Sequence, residues 1–503
     1  MHGRPGTLSD RAGMRVLFYN WVDYLDDEGR GGGVSQYQRN LMRQMPEAVF
    51  LSSGISHDLR GGAPRWAPIR HGPRADRHRR FEIVNARPQS PSHHSFGDPA
   101  QVDHPPTVAA VADFLRAHGP FDVIHFNNLE GLPATVLTLK ATFPDTAFVV
   151  ALHNYYPFCP QVNLWHREMA HCTDFHDGAS CIDCLPFRPD RRAVRMANAL
   201  TYHVKTVGLR TGSAAFEKGV RPAIRRGGKA FRWVAARRRA LSAARPRLAK
   251  QAPPAALAEG FRYRRAEMVR LINAHADAVL CVSERGAEIA RGFGLRPDLV
   301  RVCHIGSDHA PRFAETTPRA ALPRPDGTAQ MAYLGYMRRD KGFFFLLDAL
   351  ESLPEALSRR LHLLIAAGAR EGEALARLHA LRPRFASLTW ENGYRRDDLD
   401  RLLSETDFGV IPVLWEDTLP QVAIEMHSRH IPLLTANMGG ARELGRYPPM
   451  VFRAGDAGDF AARIGAILRG EIDLAAYWAG AMAPVTLEAH AAALARLYSG
   501  LAQ

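Results

Sequence analysis

The chain has 503 residues, of which 46% are hydrophobic and 23% charged, and its formal net charge is +14. This length exceeds what one hydrophobic core organises and predicts two or three domains, and the apolar content excludes a disordered or collagen-like chain. The longest apolar runs, such as 146–158, are shorter than the roughly 20 residues of a membrane-spanning helix. The N-terminus lacks the pattern of a signal peptide, and six cysteines are too few for a disulfide scaffold. We therefore expect a cytoplasmic protein.

The strand and helix patterns alternate along the whole chain. Strand candidates in the first half are 14–20, 121–126, 147–153 and 277–283, and a Gly-rich turn at 29–33 follows the first of them. A second series has strand candidates at 300–306, 331–336, 361–368, 408–413 and 432–437. This rhythm predicts an α/β protein with two doubly wound domains, residues 14–294 and 295–480, which face each other across a cleft.

The positive charge is concentrated between the third and fourth strand candidates. Residues 185–250 contain 18 Lys and Arg against two acids, a net +16, which leaves the rest of the chain at −2. Large apolar residues, among them Phe231 and Trp233, accompany the arginines. An anionic membrane surface and nucleic acid both suit this basic segment, and a solvated loop is the third possibility. No nucleic-acid recognition motif is present, so we expect no nucleic acid partner.

Two groups of residues at predicted strand ends suit an anion. Gly32 and Gly33 allow backbone N–H groups to approach a phosphate at a helix start, although a flexible turn is equally compatible. Arg338, Arg339 and Lys341 gather three cations after the strand candidate 331–336, which suits a diphosphate or, alternatively, a solvated basic turn.

Two acids and a histidine are the other candidates. Asp417 and Glu425 are eight residues apart, about 12 Å in a helix, whereas a retaining hydrolase needs its carboxylates roughly 5 Å apart. Two acids at the two ends of one extended ligand fit this spacing better, and a helix cap with a surface Glu is the alternative. His153 ends a strand candidate and would face the cleft, unless it is a structural histidine.

Together these motifs resemble family 4 glycosyltransferases, retaining enzymes of the GT-B type with two Rossmann-like domains and a nucleotide-sugar donor. The resemblance extends from about residue 14 to 501, except for the basic segment. Besides His153 and the acidic pair, it rests on GGGVSQYQRNL (31–41), DVIHFNNLEGLP (122–133), ADAVLCVSE (276–284), VCHIGSD (302–308) and GYMRRDKG (335–342).

The resemblance implies a role for each candidate. Lys341, with Arg338 or Arg339, would bind the donor diphosphate. Asp417 would contact the transferred sugar, with Thr418 and Leu419 nearby, and Glu425 would hold the ribose. Gly32 and Gly33 would approach the phosphates, and His153 would touch the sugar or position the acceptor.

It also implies a UDP- or GDP-sugar donor, a glycan or lipid-linked acceptor and no catalytic metal. The reaction would belong to surface polysaccharide or glycolipid synthesis at the inner face of the cell membrane, with the basic segment on the anionic surface. A C-terminal helix at 481–503 would pack back on the first domain.

Two departures from the family keep other functions open. Asp417 replaces the usual Glu, and Tyr336 replaces the usual Arg after the turn glycine. The alternatives are a non-catalytic GT-B scaffold docked to a membrane through the basic segment, and another GT-B activity such as sugar-nucleotide epimerisation.

Four of the six cysteines lie in one Cys-rich loop, residues 159–184. Cys181 and Cys184 form a C-x2-C pair, and Cys159 and Cys172 could complete a four-thiolate zinc site. Structural zinc, isolated thiols and a redox disulfide all remain compatible with this spacing.

Overall fold

The computed structural model describes residues 13–185, 188–208, 254–368 and 372–502, with a few separate positions between 213 and 226. Residues 227–253, which include Phe231, Trp233 and much of the basic segment, lie outside the described residues.

The first domain is built on an eight-stranded sheet. Its chain forms β1 (Val16–Tyr19), β2 (Val49–Ser56), β3 (Arg65–Pro68), β4 (Arg80–Val84), β5 (Val123–Phe126), β6 (Ala147–Leu152), β7 (Trp165–His166), β8 (Ala170–His171), β9 (Ala278–Cys281) and β10 (Val300–Val302). The sheet order is β10-β9-β6-β5-β1-β2-β4-β3, parallel throughout except for β3, and β7 and β8 form a separate hairpin. The helices are α1 (Gly32–Gln44), α2 (Pro105–His118), α3 (Arg191–Thr206), α4 (Pro254–His275) and α5 (Glu284–Gly292).

The second domain is built on a six-stranded parallel sheet. Its strands are β11 (Ala329–Tyr336), β12 (Leu361–Gly368), β13 (Ser387–Glu391), β14 (Phe408–Ile411), β15 (Leu433–Ala436) and β16 (Val451–Phe452), in the order β13-β12-β11-β14-β15-β16. The helices are α6 (Arg312–Glu315), α7 (Phe343–Ser352), α8 (Glu355–Ser358), α9 (Glu373–Ala380), α10 (Leu399–Leu403), α11 (Gln421–His427), α12 (Arg442–Gly445), α13 (Ala457–Leu468), α14 (Leu474–Gly480) and α15 (Leu487–Leu501).

The central strands of both sheets are buried on both faces. Every residue of β5, β14 and β15 is buried, without the alternation of a half-exposed strand. Continuous apolar strands are typical of parallel sheets that carry helices on both sides. The predicted pair of doubly wound domains is therefore present.

The first sheet extends further along the chain than the sequence indicated. The prediction started the second domain at residue 295, but β10 pairs in parallel with β9, with Val300 opposite Val279. The prediction is wrong at this boundary because β10 covers the open edge of β9 and completes the first sheet, with Leu299 and Val300 buried.

The chain passes between the domains twice, and its last helix lies on the first domain. α15 packs against α1, where the Tyr37 hydroxyl lies 2.9 Å from Nε2 of His490. The two connecting segments touch, because Ser307 and Thr486 form a parallel bridge and Ser307 N donates to the Val485 carbonyl at 2.9 Å. None of the helices in the described ranges is long and apolar enough to cross a membrane.

Candidate active site

A lysine and an aspartate meet where β11 and β14 end. The turn after β11 closes at Gly342, whose φ is +71° and whose Cβ, if present, would lie 1.6 Å from the Pro412 carbonyl oxygen. Only glycine permits so close an approach. The approach brings Lys341 Nζ to 2.5 Å from Oδ2 of Asp417, and the same ammonium lies 5.2 Å from the centre of the Trp415 ring.

The segment that carries Asp417 is fixed by its neighbours. Gly440 N donates to the Asp417 carbonyl at 2.9 Å, and a Cβ on Gly439 would lie 2.3 Å from that oxygen. The adjacent Glu416 is buried and accepts from Gly439 N at 2.8 Å. Arg285 of the first domain donates two hydrogen bonds to the Glu416 carboxylate, from Nη2 at 2.7 Å and from Nε at 3.1 Å.

These contacts set the charge of Glu416. Burial acts to raise the pKa of Glu416, but the hydrogen bonds from Arg285 and Gly439 outweigh it and hold the pKa below its usual range. Sequence reasoning missed both Arg285 and Glu416. In the sequence, only the position of Glu416 directly beside Asp417 pointed to this pair. The pairing itself is not evident from the sequence because the two residues are 131 positions apart.

Two further hydrogen bonds connect this segment to the first domain. The Thr418 hydroxyl donates to the His153 carbonyl at 3.1 Å, and Gln421 Nε2 donates to the Gly33 carbonyl at 2.9 Å. Leu419 is buried beside Thr418. The Gly-rich turn, the strand-end histidine and the Asp417 segment thus face one another across the cleft. Gly32 begins α1 next to this contact.

His153 is held as an uncharged ring. It packs against Tyr37 with ring centres 4.8 Å apart, and its Nε2 is buried without a hydrogen-bond partner among the described residues. Burial, reinforced by the neighbouring His490, lowers the pKa of His153 to about 3. A neutral imidazole with one free nitrogen can donate or accept a single hydrogen bond.

Glu425 lies in a different part of the cleft. It is buried on α11, accepts from the Tyr394 hydroxyl at 3.2 Å and has Arg396 Nη2 3.6 Å from its Oε1. Burial raises its pKa, and Arg396 partly offsets that effect. The two acids therefore have separate partners: Asp417 contacts Lys341, and Glu425 contacts the loop that follows β13.

The structure does not bring Arg338 and Arg339 to this pair. Arg338 Nε donates to Asp340 at 2.9 Å, and the Arg339 guanidinium lies over the Phe344 ring at 4.7 Å. Both line an interdomain cavity of about 740 Å³ that is also lined by residues 161–163 and Trp165 of the Cys-rich loop. Lys341 instead lines a cavity of about 110 Å³ together with Asp417 and Tyr336.

Among the residues that the structure describes, two groups have the composition of a metal site. The carboxylates of Asp26, Asp27 and Glu28 lie within 4.8 Å of one another, but Lys205 Nζ lies 2.9 Å from Glu28 and 3.1 Å from Asp27, where a cation would bind. The cysteines of the Cys-rich loop are free thiols, three of them buried.

Comparisons with known proteins agree with this architecture. Residues 328–470 match the family model described as Glycosyl transferases group 1, and no curated protein sequence matches the chain. The α,α-trehalose-phosphate synthase (UDP-forming) from Burkholderia xenovorans is 14% identical over 97% of this chain and 100% of its own, with a TM-score of 0.54. The sucrose-phosphate synthase from Thermosynechococcus elongatus is 15% identical over 97% and 99%, with a TM-score of 0.52.

A third solved structure shares this architecture. The lipopolysaccharide outer core galactosyltransferase WaaB is 11% identical over 97% of this chain and 100% of its own, with a TM-score of 0.51. At such identities the likeness concerns the fold, and it confirms the predicted GT-B arrangement of two α/β domains. The family match places a glycosyltransferase signature on the second domain, which contains Lys341, Asp417 and Glu425.

Proposed function

We propose that the chain is a retaining glycosyltransferase that moves a sugar from a UDP- or GDP-sugar to a glycan or lipid-linked acceptor. The observation that carries this proposal is the contact between Lys341 and Asp417 at the ends of two parallel strands. It lies within the segment that matches the glycosyltransferase model, and the strand ends of a doubly wound sheet are where such domains bind nucleotides.

The two members of this pair suit different parts of the donor. Breaking the bond between sugar and diphosphate develops negative charge on the leaving phosphate, and a fixed ammonium stabilises that charge. Without a donor, Asp417 neutralises Lys341. With a donor present, the ammonium binds phosphate and the carboxylate accepts from a sugar hydroxyl, so no catalytic metal is required.

The remaining contacts fit the other ends of the same ligand. Glu425, buried beside Tyr394, accepts from the ribose hydroxyls, and Gly32 and Gly33 present backbone N–H groups at a helix start to the phosphates. The neutral His153 ring offers its free nitrogen to a sugar or acceptor hydroxyl. Arg338 and Arg339 face the larger cavity, so either one would have to turn toward Lys341 to share the diphosphate.

Donor turnover separates this proposal from a non-catalytic GT-B scaffold. We would incubate the protein with a panel of UDP- and GDP-sugars, and measure thermal stabilisation and released nucleoside diphosphate. We expect at least one donor to stabilise and to be hydrolysed, and Lys341→Ala to lose hydrolysis. Arg401→Ala, an exposed cation on α10, serves as the matched control.

Three outcomes would contradict parts of the proposal. Donor binding without hydrolysis or transfer supports the scaffold, and the absence of any binding removes the donor site. If transfer occurs, the anomeric configuration of the product is read by NMR, and an inverted product would refute the retaining mechanism.

We also propose that α3 and the basic segment contact an anionic membrane surface. On one side of α3, Lys205 is buried against the acidic residues 26–28, which anchors the helix to the first domain. On the other side Met196 and Leu200 are exposed, and Val207 follows in the same stripe. An anchored helix with an outward apolar stripe and nearby arginines suits the interface of a bilayer.

Sedimentation with vesicles tests this second part. Met196→Ser with Leu200→Ser should reduce binding to phosphatidylglycerol vesicles, and deletion of residues 220–250 should reduce it further, with nucleotide binding retained. Tyr336→Ser replaces an exposed aromatic residue of the second domain and should have no effect on vesicle binding. Unchanged binding in both variants would make the basic segment a solvated loop.

A further inference from the structure

The four cysteines of the Cys-rich loop belong to one folded segment of the first domain. We call Cys159, Cys172, Cys181 and Cys184 the four-thiol cluster. Backbone hydrogen bonds draw its segments together: Cys172 N donates to the Leu164 carbonyl at 2.7 Å, and Arg167 N donates to the Cys184 carbonyl at 3.1 Å. Cys181 and Cys184 are buried against Phe96 and Phe261, so the loop folds over its own cysteines.

The thiols of this cluster influence one another. Burial first, and then the neighbouring thiols, raise the pKa of Cys181 to about 12, and burial raises the pKa of Cys184 to about 12 as well. All six pairs among the four thiols interact electrostatically. The four sulfurs therefore lie near one another inside the loop.

A cation without an acidic partner lies beside the four-thiol cluster. The Arg265 guanidinium on α4 is half-buried, lies 3.4 Å from the centre of the Phe175 ring and donates to the Phe158 carbonyl at 2.8 Å. Within the described ranges no carboxylate forms an ion pair with it, and three cysteines of the cluster are close enough to affect its charge. A partly buried guanidinium is unfavourable unless negative charge compensates it.

We propose that the four-thiol cluster binds one zinc ion as a closed structural site. Binding releases the four thiol protons, and four thiolates around Zn²⁺ carry a net charge of −2, which supplies the anion that Arg265 lacks. No three of the sulfurs lie mutually within 4.8 Å, whereas a tetrahedron with Zn–S bonds of about 2.3 Å has edges of about 3.8 Å. The ion would therefore draw the sulfurs inward through side-chain rotation.

The zinc ion would order one wall of the larger interdomain cavity. Residues 161–163 and Trp165, which follow Cys159 and Pro160, line that cavity together with Arg338 and Arg339. The zinc ion would hold this wall of the cavity in place. This structural role does not depend on the proposed transferase activity.

Metal content tests the site directly. The protein is purified with a tag that binds no metal and without chelators, and we expect about one zinc per chain by elemental analysis. Cys181→Ser combined with Cys184→Ser should lose the zinc, whereas Cys303→Ser, outside the loop, should retain it. Circular dichroism establishes whether the variants fold.

A measurement on the wild-type chain keeps the test decisive if the double variant fails to fold. Replacement of zinc by Co²⁺ should produce the intense thiolate charge-transfer and d–d absorption of a tetrahedral four-sulfur site. Metal-free protein with four titratable thiols would overturn the proposal. A mass 2 Da lower than that of the reduced chain, which indicates a disulfide, would overturn it as well.

Discussion

Replacement of Arg285 by glutamine tests how the two domains together hold the Asp417 segment. Arg285 lies in the first turn of α5 in the first domain and binds the Glu416 carboxylate of the second domain with two hydrogen bonds, at 2.7 and 3.1 Å. The same carboxylate accepts a hydrogen bond from Gly439 N. Gly439 packs against the Asp417 backbone. Loss of the guanidinium leaves Glu416 buried with one backbone donor.

The burial of the two partners sets the size of the effect. The Glu416 side chain is 4% exposed and that of Arg285 is 31% exposed. Removal of one partner from a fully buried pair costs about 3–5 kcal/mol. Because water reaches Arg285 and Gly439 still donates, we expect a loss of about 2 kcal/mol in the free energy of unfolding. For a domain of this size such a loss lowers Tm by about 4–8 °C.

The Arg285→Gln substitution should reverse the pH dependence of the contribution that Glu416 makes to stability. In the wild-type chain the pKa of Glu416 lies below its usual range, so its contribution is present above the unfolded-state pKa and is lost as the pH falls through the folded-state pKa. In Arg285→Gln burial dominates and raises the pKa of Glu416. That contribution is then present at low pH and is lost as the pH rises.

Calorimetry between pH 4 and pH 7.5 measures both effects. The Tm difference between wild type and Arg285→Gln should widen as the pH rises. Glu288→Gln removes the other partner of Arg285, an acid whose side chain is 59% exposed, and should change Tm by no more than about 2 °C. Equal Tm values for wild type and Arg285→Gln, or a deficit independent of pH, would refute the role assigned to the pair.

Three further predictions concern single residues. Glu425→Ala should abolish transfer and leave Tm close to that of the wild type, because its proposed partner is the donor ribose; turnover near wild type would contradict this. Burial raises the pKa of Glu82 to about 7, so its contribution to stability is present below about pH 4.5 and is lost as the pH rises through 7, about 3 kcal/mol in all. Glu82→Gln should therefore flatten the fall of Tm between pH 5 and pH 8, and parallel curves would refute it. Gly342→Ala should lower Tm because its Cβ meets the Pro412 carbonyl, whereas Gly368→Ala, with open space around it, should not.

The four central strands of the second domain were predictable because both faces of the sheet are covered there, whereas the edge strands β13 and β16 were not predicted. Apolar runs at 331–336 and 361–368 predicted strands where β11 and β12 lie, with ends that differ by two residues at most. Continuous apolar runs separated by helical patterns leave few alternatives to the assignment of buried parallel strands.

Two buried strands of the first domain, β2 and β4, were not predicted because they contain polar residues. β2 contains Ser52, Ser53 and Gly54, and β4 contains Arg80 and Glu82, all of which disguise a buried strand. Their polar groups are satisfied by distant partners: Arg80 binds Asp23, and Glu82 accepts from Ser56. One sequence cannot reveal such pairs, since the compensating residue lies far along the chain.

The same limit applies to the candidate site. The sequence selects Lys341 and Asp417 separately, from the cations after a strand and the acid before a helix. Their contact depends on the approach of Gly342 to Pro412, a backbone proximity that no local pattern encodes. Arg285 and Glu416 belong to different domains, so their pairing follows only from the docking of the two sheets.

The paired connecting segments constrain how the cleft can move. Ser307 and Thr486 join the two covalent passages side by side, and a Cβ on Gly306 would lie 2.9 Å from the Thr486 carbonyl oxygen. Because these two joints are adjacent, we expect the domains to move mainly by rotation about one axis through them. Such a rotation would separate Thr418 and Gln421 from their partners in the first domain, and Arg285 from Glu416. A ligand that bridges both domains would then favour one value of the rotation angle between them. Ligand affinity and the degree of cleft closure would therefore report on the same rotation.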